Sequence, residues 1–210
     1  MMSEVVNILI RTSQRPNCFR RVMQSILSQG LPDVRVLVTV DTPETEEYVR
    51  SASGVSKIIT VPRLIKEGPG HAPYNLHMNA LIEAVEEGWV FFMDDDDYYL
   101  PGALAEAASL LGDTKKAHIF KTFFQGFGRN IPTGSFGKGL VLGDICTPSI
   151  VLHHTLAKEA AWGDRSGGDF RYIDAITKSP LYGGLEWHDM VIGYVPSAHT
   201  GEKFDIEVTE

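Results

Sequence analysis

The chain has 210 residues and a mass of 23.2 kDa, 43% hydrophobic and 22% charged, which suits one packed domain and excludes disordered, collagen-like and coiled-coil classes. Nineteen Lys and Arg against 27 Asp and Glu leave a formal charge of -8, which repels nucleic-acid phosphates and anionic lipid, so an anionic ligand calls for a metal or local dipoles. With only Cys18 and Cys146, no basic-then-apolar opening and no stretch of membrane-spanning length, a cytoplasmic protein without disulfides is the expectation.

Val5 to Ile10 is an apolar run without polar alternation, the mark of a strand buried on both faces. Phe19, Val22, Met23, Ile26 and Leu27 then recur at helical spacing, with Gly30 in the stop position. The β-branched runs 34–40 and 56–61 read as strands, separated by an acidic stretch, 45–50, able to form a short helix. A helix is predicted from Tyr74 to Glu87, ended by Gly88, and a strand from Trp89 to Met93. A helix over 103–111 follows. Beyond it the pattern loosens: a strand at 118–124, a Gly-rich loop or hairpin at 125–143, a strand at 150–153, a helix at 170–178 and a strand at 190–195. Strands and helices that alternate across short turns predict an α/β fold, with a mostly parallel sheet between helices and ligands at the carboxyl ends of its strands.

The most informative segment sits at such an end. Trp89 to Met93 runs directly into Asp94, Asp95, Asp96 and Asp97. On an extended chain alternate residues share a face, so Asp95 and Asp97 would point together, and two carboxylates so placed suit a hard cation such as Mn²⁺ or Mg²⁺. A solvated acidic turn is the alternative.

Together these features resemble family 2 of the GT-A glycosyltransferases. Ile8 to Pro16 is similar to that family's first strand and Pro-Thr-Tyr-Asn-Arg-type loop, with Arg11, Ser13 and Gln14 as departures. Ser25 to Gln29 matches its Ser-Ile-Leu-Ser-Gln-like run, Asp41 ends the second strand where the family has an Asp, and the Asp cluster resembles its DXD motif. The resemblance implies a GT-A (Rossmann-like) fold with a smaller antiparallel acceptor-side part. It implies a single catalytic domain over 1–210, with a nucleotide-sugar half at 1–111 and an acceptor half at 112–210. It also implies a metal-dependent, inverting transfer from a nucleotide-diphosphate sugar, a UDP-sugar foremost. Thr12, Arg15, Asp41, Asn75, Asp95 and Asp96 would then contact the donor, and Asp97, Asp95 and His199 the metal.

Inverting transfer needs a carboxylate base for the acceptor hydroxyl. Asp169, at a predicted helix start, resembles the Asp of the family's Glu-Asp motif, with Gly168 where the Glu would be; it also suits a helix N-cap. Asp164 is a second candidate or a turn residue. His199 reads as a metal ligand or a surface histidine, His188 as a packing residue, and His153 and His154 as poor joint ligands. Arg15 would meet donor phosphates or decorate its loop. Asn75 and Asn79 share a helix face that looks into the site or lies on the surface. The acceptor stays open among glycan, protein and modified nucleic-acid base, as does the formation of a homo-oligomer. A nucleotidyltransferase and a non-catalytic nucleotide-sugar-binding module are the competing functions; the first would need a Gly-rich, Lys-containing loop that the N-terminal region lacks.

Overall fold

The computed structural model of the protein describes residues 4–196. Its first half is a parallel sheet built from β1 (Val6–Arg11), β2 (Val34–Val40), β3 (Val55–Thr60) and β4 (Trp89–Asp94), in the order β3-β2-β1-β4. Apolar side chains leave β1 and β4 on both faces, which is why neither strand shows polar alternation. Ile8, Ile10, Phe91 and Met93 enter one core cluster, while Leu9, Val90 and Phe92 enter another. Helix α1 (Pro16–Leu27) covers the first face through Phe19, Val22, Met23 and Ile26. Pro16 at its start fixes φ where no amide partner is needed. Helix α2 (Pro43–Ser51) joins β2 to β3, and the hydroxyl of its cap residue Thr42 accepts from Thr45 N at 3.2 Å.

The segment predicted as one helix from Tyr74 to Glu87 divides. Pro73–Leu76 is a 3₁₀ turn, and only His77–Glu83 (α3) is α-helical. Pro73 starts the tight turn, and Val85 leaves the helix still buried against the second core cluster. Gly88, at φ +83°, then turns the chain into β4, where a Cβ would overlap the Val5 carbonyl.

The second half closes the sheet with mixed pairing. After the two-residue strand β5 (Tyr98–Tyr99) and helix α4 (Ala103–Ser109) come β6 (Lys116–Phe124), β7 (Arg129–Ile131) and β8 (Ile150–His153). Helices α5 (His154–Ala157) and α6 (Gly168–Ile176) precede β9 (Gly184–Val195). The sheet continues from β4 through β8, β6 and β9 to β5. β8 runs antiparallel to both β4 and β6, and β9 runs parallel to β6. The Gly-rich segment thus contains a short strand, β7, paired with the end of β6. β9 begins six residues before its predicted start, because Glu186 and His188 interrupt the apolar signal without interrupting the ladder. No helix among the described residues is long and apolar enough to cross a membrane.

Candidate functional site

The carboxyl ends of β1, β2 and β4 converge on a polar cavity of about 400 Å³, lined by Arg11, Thr12, Arg15, Asp41, Asp94 and Asp96 among others. A larger cavity, about 590 Å³, lies at the opposite end of these strands beside Val6 and Trp89. The smaller one is lined by Arg11, Arg15, Asp94 and Asp96 of the ion-paired cluster, with Asp95 and Asp97 next to them in the chain, so chemistry rather than volume selects it.

The four aspartates are not on one extended strand. β4 ends at Asp94, Asp95 and Asp96 form a turn, and Asp97 N donates to Asp94 O at 3.2 Å. The alternate-face reason for pairing Asp95 with Asp97 therefore does not hold. Burial is what sets them apart: Asp95 is 0% and Asp97 3% exposed, whereas Asp94 and Asp96 keep some contact with solvent.

Each carboxylate has its own electrostatic surroundings. Arg11 and Asp94 are in register across β1 and β4, and Arg11 Nε donates to Asp94 Oδ1 at 2.6 Å. Burial alone would raise the Asp94 pKa, but Arg11 holds it below the ordinary carboxylate range. Arg15 pairs with Asp95 and reaches Asp96 at 2.6 Å. Thr12 Oγ1 donates to Asp95 Oδ2, also at 2.6 Å. Burial nevertheless pushes Asp95 up to about 7. Asp97 forms no ion pair with a basic residue among the described residues. Burial, then the like charges of Asp94, Asp96 and Asp95, drive its pKa well above the ordinary value. A buried carboxylate in that position is stabilised either by a proton or by a cation.

Around this cluster the loop after β1 is held by Tyr48, whose hydroxyl lies 2.8 Å from Thr12 Oγ1. Gln14 takes a positive φ of 55°, a strained backbone for a non-glycine residue, and its side-chain carbonyl accepts from Arg63 at 3.1 Å. Ser13 Oγ donates to Asp41 Oδ2 at 2.8 Å, while Asp41 Oδ1 is buried without a partner among the described residues. Asn75 accepts from Arg11 and donates to the Arg165 carbonyl at 3.0 Å. It thereby ties the end of β1 to the second half. Asn79, a turn further on, grips the Trp162 backbone at 2.8 and 3.0 Å, a structural role.

Asp169 is not the N-cap of its helix. Gly167, in a left-handed conformation at φ +70°, is the cap before α6, and Asp169 lies in the first turn. Its Oδ1 accepts from Phe170 N at 2.7 Å, and burial followed by the Asp94 charge raises its pKa to about 6. Asp97 and Asp169 both act electrostatically on the buried Cys146 thiol, so the two carboxylates belong to one region. Gly168 packs against Asn75, and a Cβ there would overlap the Asn75 amide. Asp164 instead fastens the loop before the 3₁₀ turn: Ala72 N donates to its carbonyl at 2.7 Å, and its carboxylate lies 3.6 Å from His71. His199 lies outside the described residues.

Thr12, Arg15, Asp41, Asn75, Asp95, Asp96 and Asp97 thus share one strand-end site, with Asp169 on its second-half side. The site also contains Arg11, Tyr48 and Arg63, which the candidates from the sequence do not include. Arg11 was legible, since parallel pairing of two buried strands of equal length sets it opposite Asp94; Tyr48 and Arg63 had no motif to mark them.

A parallel half-sheet whose carboxyl rim joins aspartates to arginines beside a polar cavity is an α/β arrangement with a ligand crevice at its strand ends, consistent with the GT-A fold. The model of glycosyl transferase family 2 matches residues 8–135, and the chain belongs to that family. S. aureus TarS has the same fold, at 18% identity and TM-score 0.69 over 92% of this chain and 61% of that one. TarS has also been solved with UDP-GlcNAc (18% identity, TM-score 0.65, 91% of this chain and 58% of that one). The mannosyltransferase PcManGT from Pyrobaculum calidifontis, solved with GDP-Man and Mn²⁺, is 16% identical at TM-score 0.63 over 90% of this chain and 56% of that one. The chain spans about three-fifths of the length of TarS residues 1–349 and of PcManGT, and 37% of the longer TarS chain. A sequence search of curated proteins finds no match.

Proposed function

We propose that the protein is a metal-dependent, inverting glycosyltransferase that moves a sugar from a nucleotide-diphosphate sugar, a UDP-sugar foremost, to a hydroxyl acceptor. The observation that carries this reading is the charge arrangement of the aspartate cluster. Asp94, Asp95 and Asp96 each form an ion pair with an arginine, whereas buried Asp97 forms none among the described residues and the charge of Arg11 offsets its surroundings only in part. Asp97 is thus the carboxylate left for a cation, with Asp95 beside it, and oxygen donors of this kind suit Mn²⁺ or Mg²⁺. When bound, the cation would supply positive charge to the departing nucleoside diphosphate.

The chain's own residues account for the rest. The unpartnered Asp41 Oδ1 is a ready acceptor for an N–H of the nucleotide base. Arg15, more exposed than the aspartates it touches, is within reach of donor phosphates. Asp169 is the base that takes the proton from the acceptor hydroxyl, and its raised pKa makes it a stronger proton acceptor than an ordinary carboxylate. Residues 1–111 then form the donor half, and 112–210 supply Asp169 and the acceptor surface. The donors seen in TarS and PcManGT support the donor class.

A panel of nucleotide sugars, incubated with the protein and Mn²⁺ and read as free nucleotide, tests this without an acceptor. Slow Mn²⁺-dependent release from one donor, lost in Asp97→Ala, is expected. No release from any donor, together with pyrophosphate release from a nucleoside triphosphate, would favour a nucleotidyltransferase instead.

A further inference from the structure

A second group of metal-ligating side chains lies away from the aspartate cluster. β6 and β9 pair in parallel with His118 opposite Glu186 and Phe120 opposite His188. Because strand side chains alternate, Glu186 and His188 leave β9 on one face and His118 joins them from β6. One donor atom from each residue falls within 4.8 Å of the other two, and His118 Nδ1 lies 2.9 Å from His188 Nε2. Two imidazole nitrogens bound at about 2.0–2.1 Å to one metal ion stand about 3 Å apart, so little movement separates the present pair from a ligated one.

The ligands are held in place. His118 is fully buried and packs edge-on against Trp89, with ring centroids 5.2 Å apart. His188, read from the sequence as a packing residue, stacks on Phe120 at 4.3 Å, and its Nε2 is turned to His118. Glu186 takes Lys116 at 3.0 Å through Oε2, which leaves Oε1 as a donor.

We propose that His118, Glu186 and His188 form a transition-metal site, of the kind that takes Zn²⁺, distinct from the cation site at Asp97. Two nitrogens and one oxygen select a borderline ion such as Zn²⁺ over Mg²⁺. The location makes it a structural clamp. β6 runs parallel to β4, since β8 opposes both, and His118 packs against Trp89, the first residue of β4, about 17 Å along the strand from Asp94 at 3.3 Å per residue. An ion there would fasten β9 to β6, and β9 in turn pairs with Tyr98–Tyr99, directly after Asp97.

The test is titration of the chelator-stripped full chain with Zn²⁺ against a chromophoric competitor, and with Co²⁺ followed by visible absorption. One Zn²⁺ per chain is expected, bound equally by the wild type and Asp97→Asn, and at least about tenfold more weakly by His188→Gln and by Glu186→Gln. The Glu186 substitution, at a half-buried position, keeps the test open should His188→Gln misfold, which thermal unfolding without metal reveals. No one-to-one Zn²⁺ binding by the wild type, unchanged affinity in a folded variant, or loss of the ion on Asp97→Asn would overturn the proposal and leave a plain imidazole–imidazole hydrogen bond.

Discussion

Asp97 and Asp169 illustrate how a few side chains concentrate cost and function. Without metal, Asp97 is held against burial and three like charges, so Asp97→Asn should raise the thermal stability of the metal-free protein by about 1–2 kcal/mol, within the usual range for relieving a strained active site. The same substitution should abolish cation-dependent donor binding; a variant that is less stable and still binds would refute the role given to Asp97. For Asp169, a folded pKa of about 6 against 3.8 for a free carboxyl means that the folded chain holds the proton more tightly. Its favourable contribution is therefore complete below about pH 4 and lost as pH rises through about 6. Stability of the wild type relative to Asp169→Asn should fall across that window, as chemical denaturation at several pH values would record. In the proposed role Asp169 acts ionised, so the rate of transfer should rise through about pH 6, and Asp169→Asn should lower it by about 10²–10⁴-fold while donor binding survives. At Gly168 the amide of Asn75 occupies the space of a Cβ. Gly168→Ala should cost about 1–3 kcal/mol, measured by thermal unfolding, which accounts for glycine where the resembling motif has glutamate.

At the level of elements, the sequence was clearest where one physical signal dominated. β1 and β4 are buried on both faces, and their continuous apolar runs, with the β-branched run of β2, placed these three strands to within a residue or so. α1 was legible from its apolar spacing. The helix predicted over 74–87 was too long because apolar spacing persists through the 3₁₀ turn and past Glu83, where the backbone no longer follows it. β5 and β7 are two and three residues long and exist only through their partners, so no local pattern announces them. The turn at 95–96 has the same character: tertiary burial, not strand alternation, separates Asp95 and Asp97 from their neighbours. Gly88 is the joint on which the central strand hangs. Its positive φ and the absence of room beside Val5 predict that Gly88→Ala destabilises by more than about 1 kcal/mol, or at least 2–4 °C in melting temperature for a chain of this size.

For the molecule as a whole, the acid excess in the composition has a location. Four of the acidic residues occupy one strand end, where Arg11 and Arg15 offset part of their charge and Asp97 is left over. The first-half side of the strand-end cluster was legible as a place, because it follows consecutive strand ends and a resembling motif order. The second-half side was not, since Asp169, Asn75 and the Arg165 carbonyl meet only through the packing of α6 and the 3₁₀ turn. The central claim is that Asp97 makes nucleotide binding depend on a divalent cation. Isothermal titration of the protein with UDP, with and without Mn²⁺, tests it most directly. Binding that requires Mn²⁺ in the wild type and is lost in Asp97→Ala is the predicted result; binding that is indifferent to Mn²⁺, or unchanged by the substitution, would contradict it.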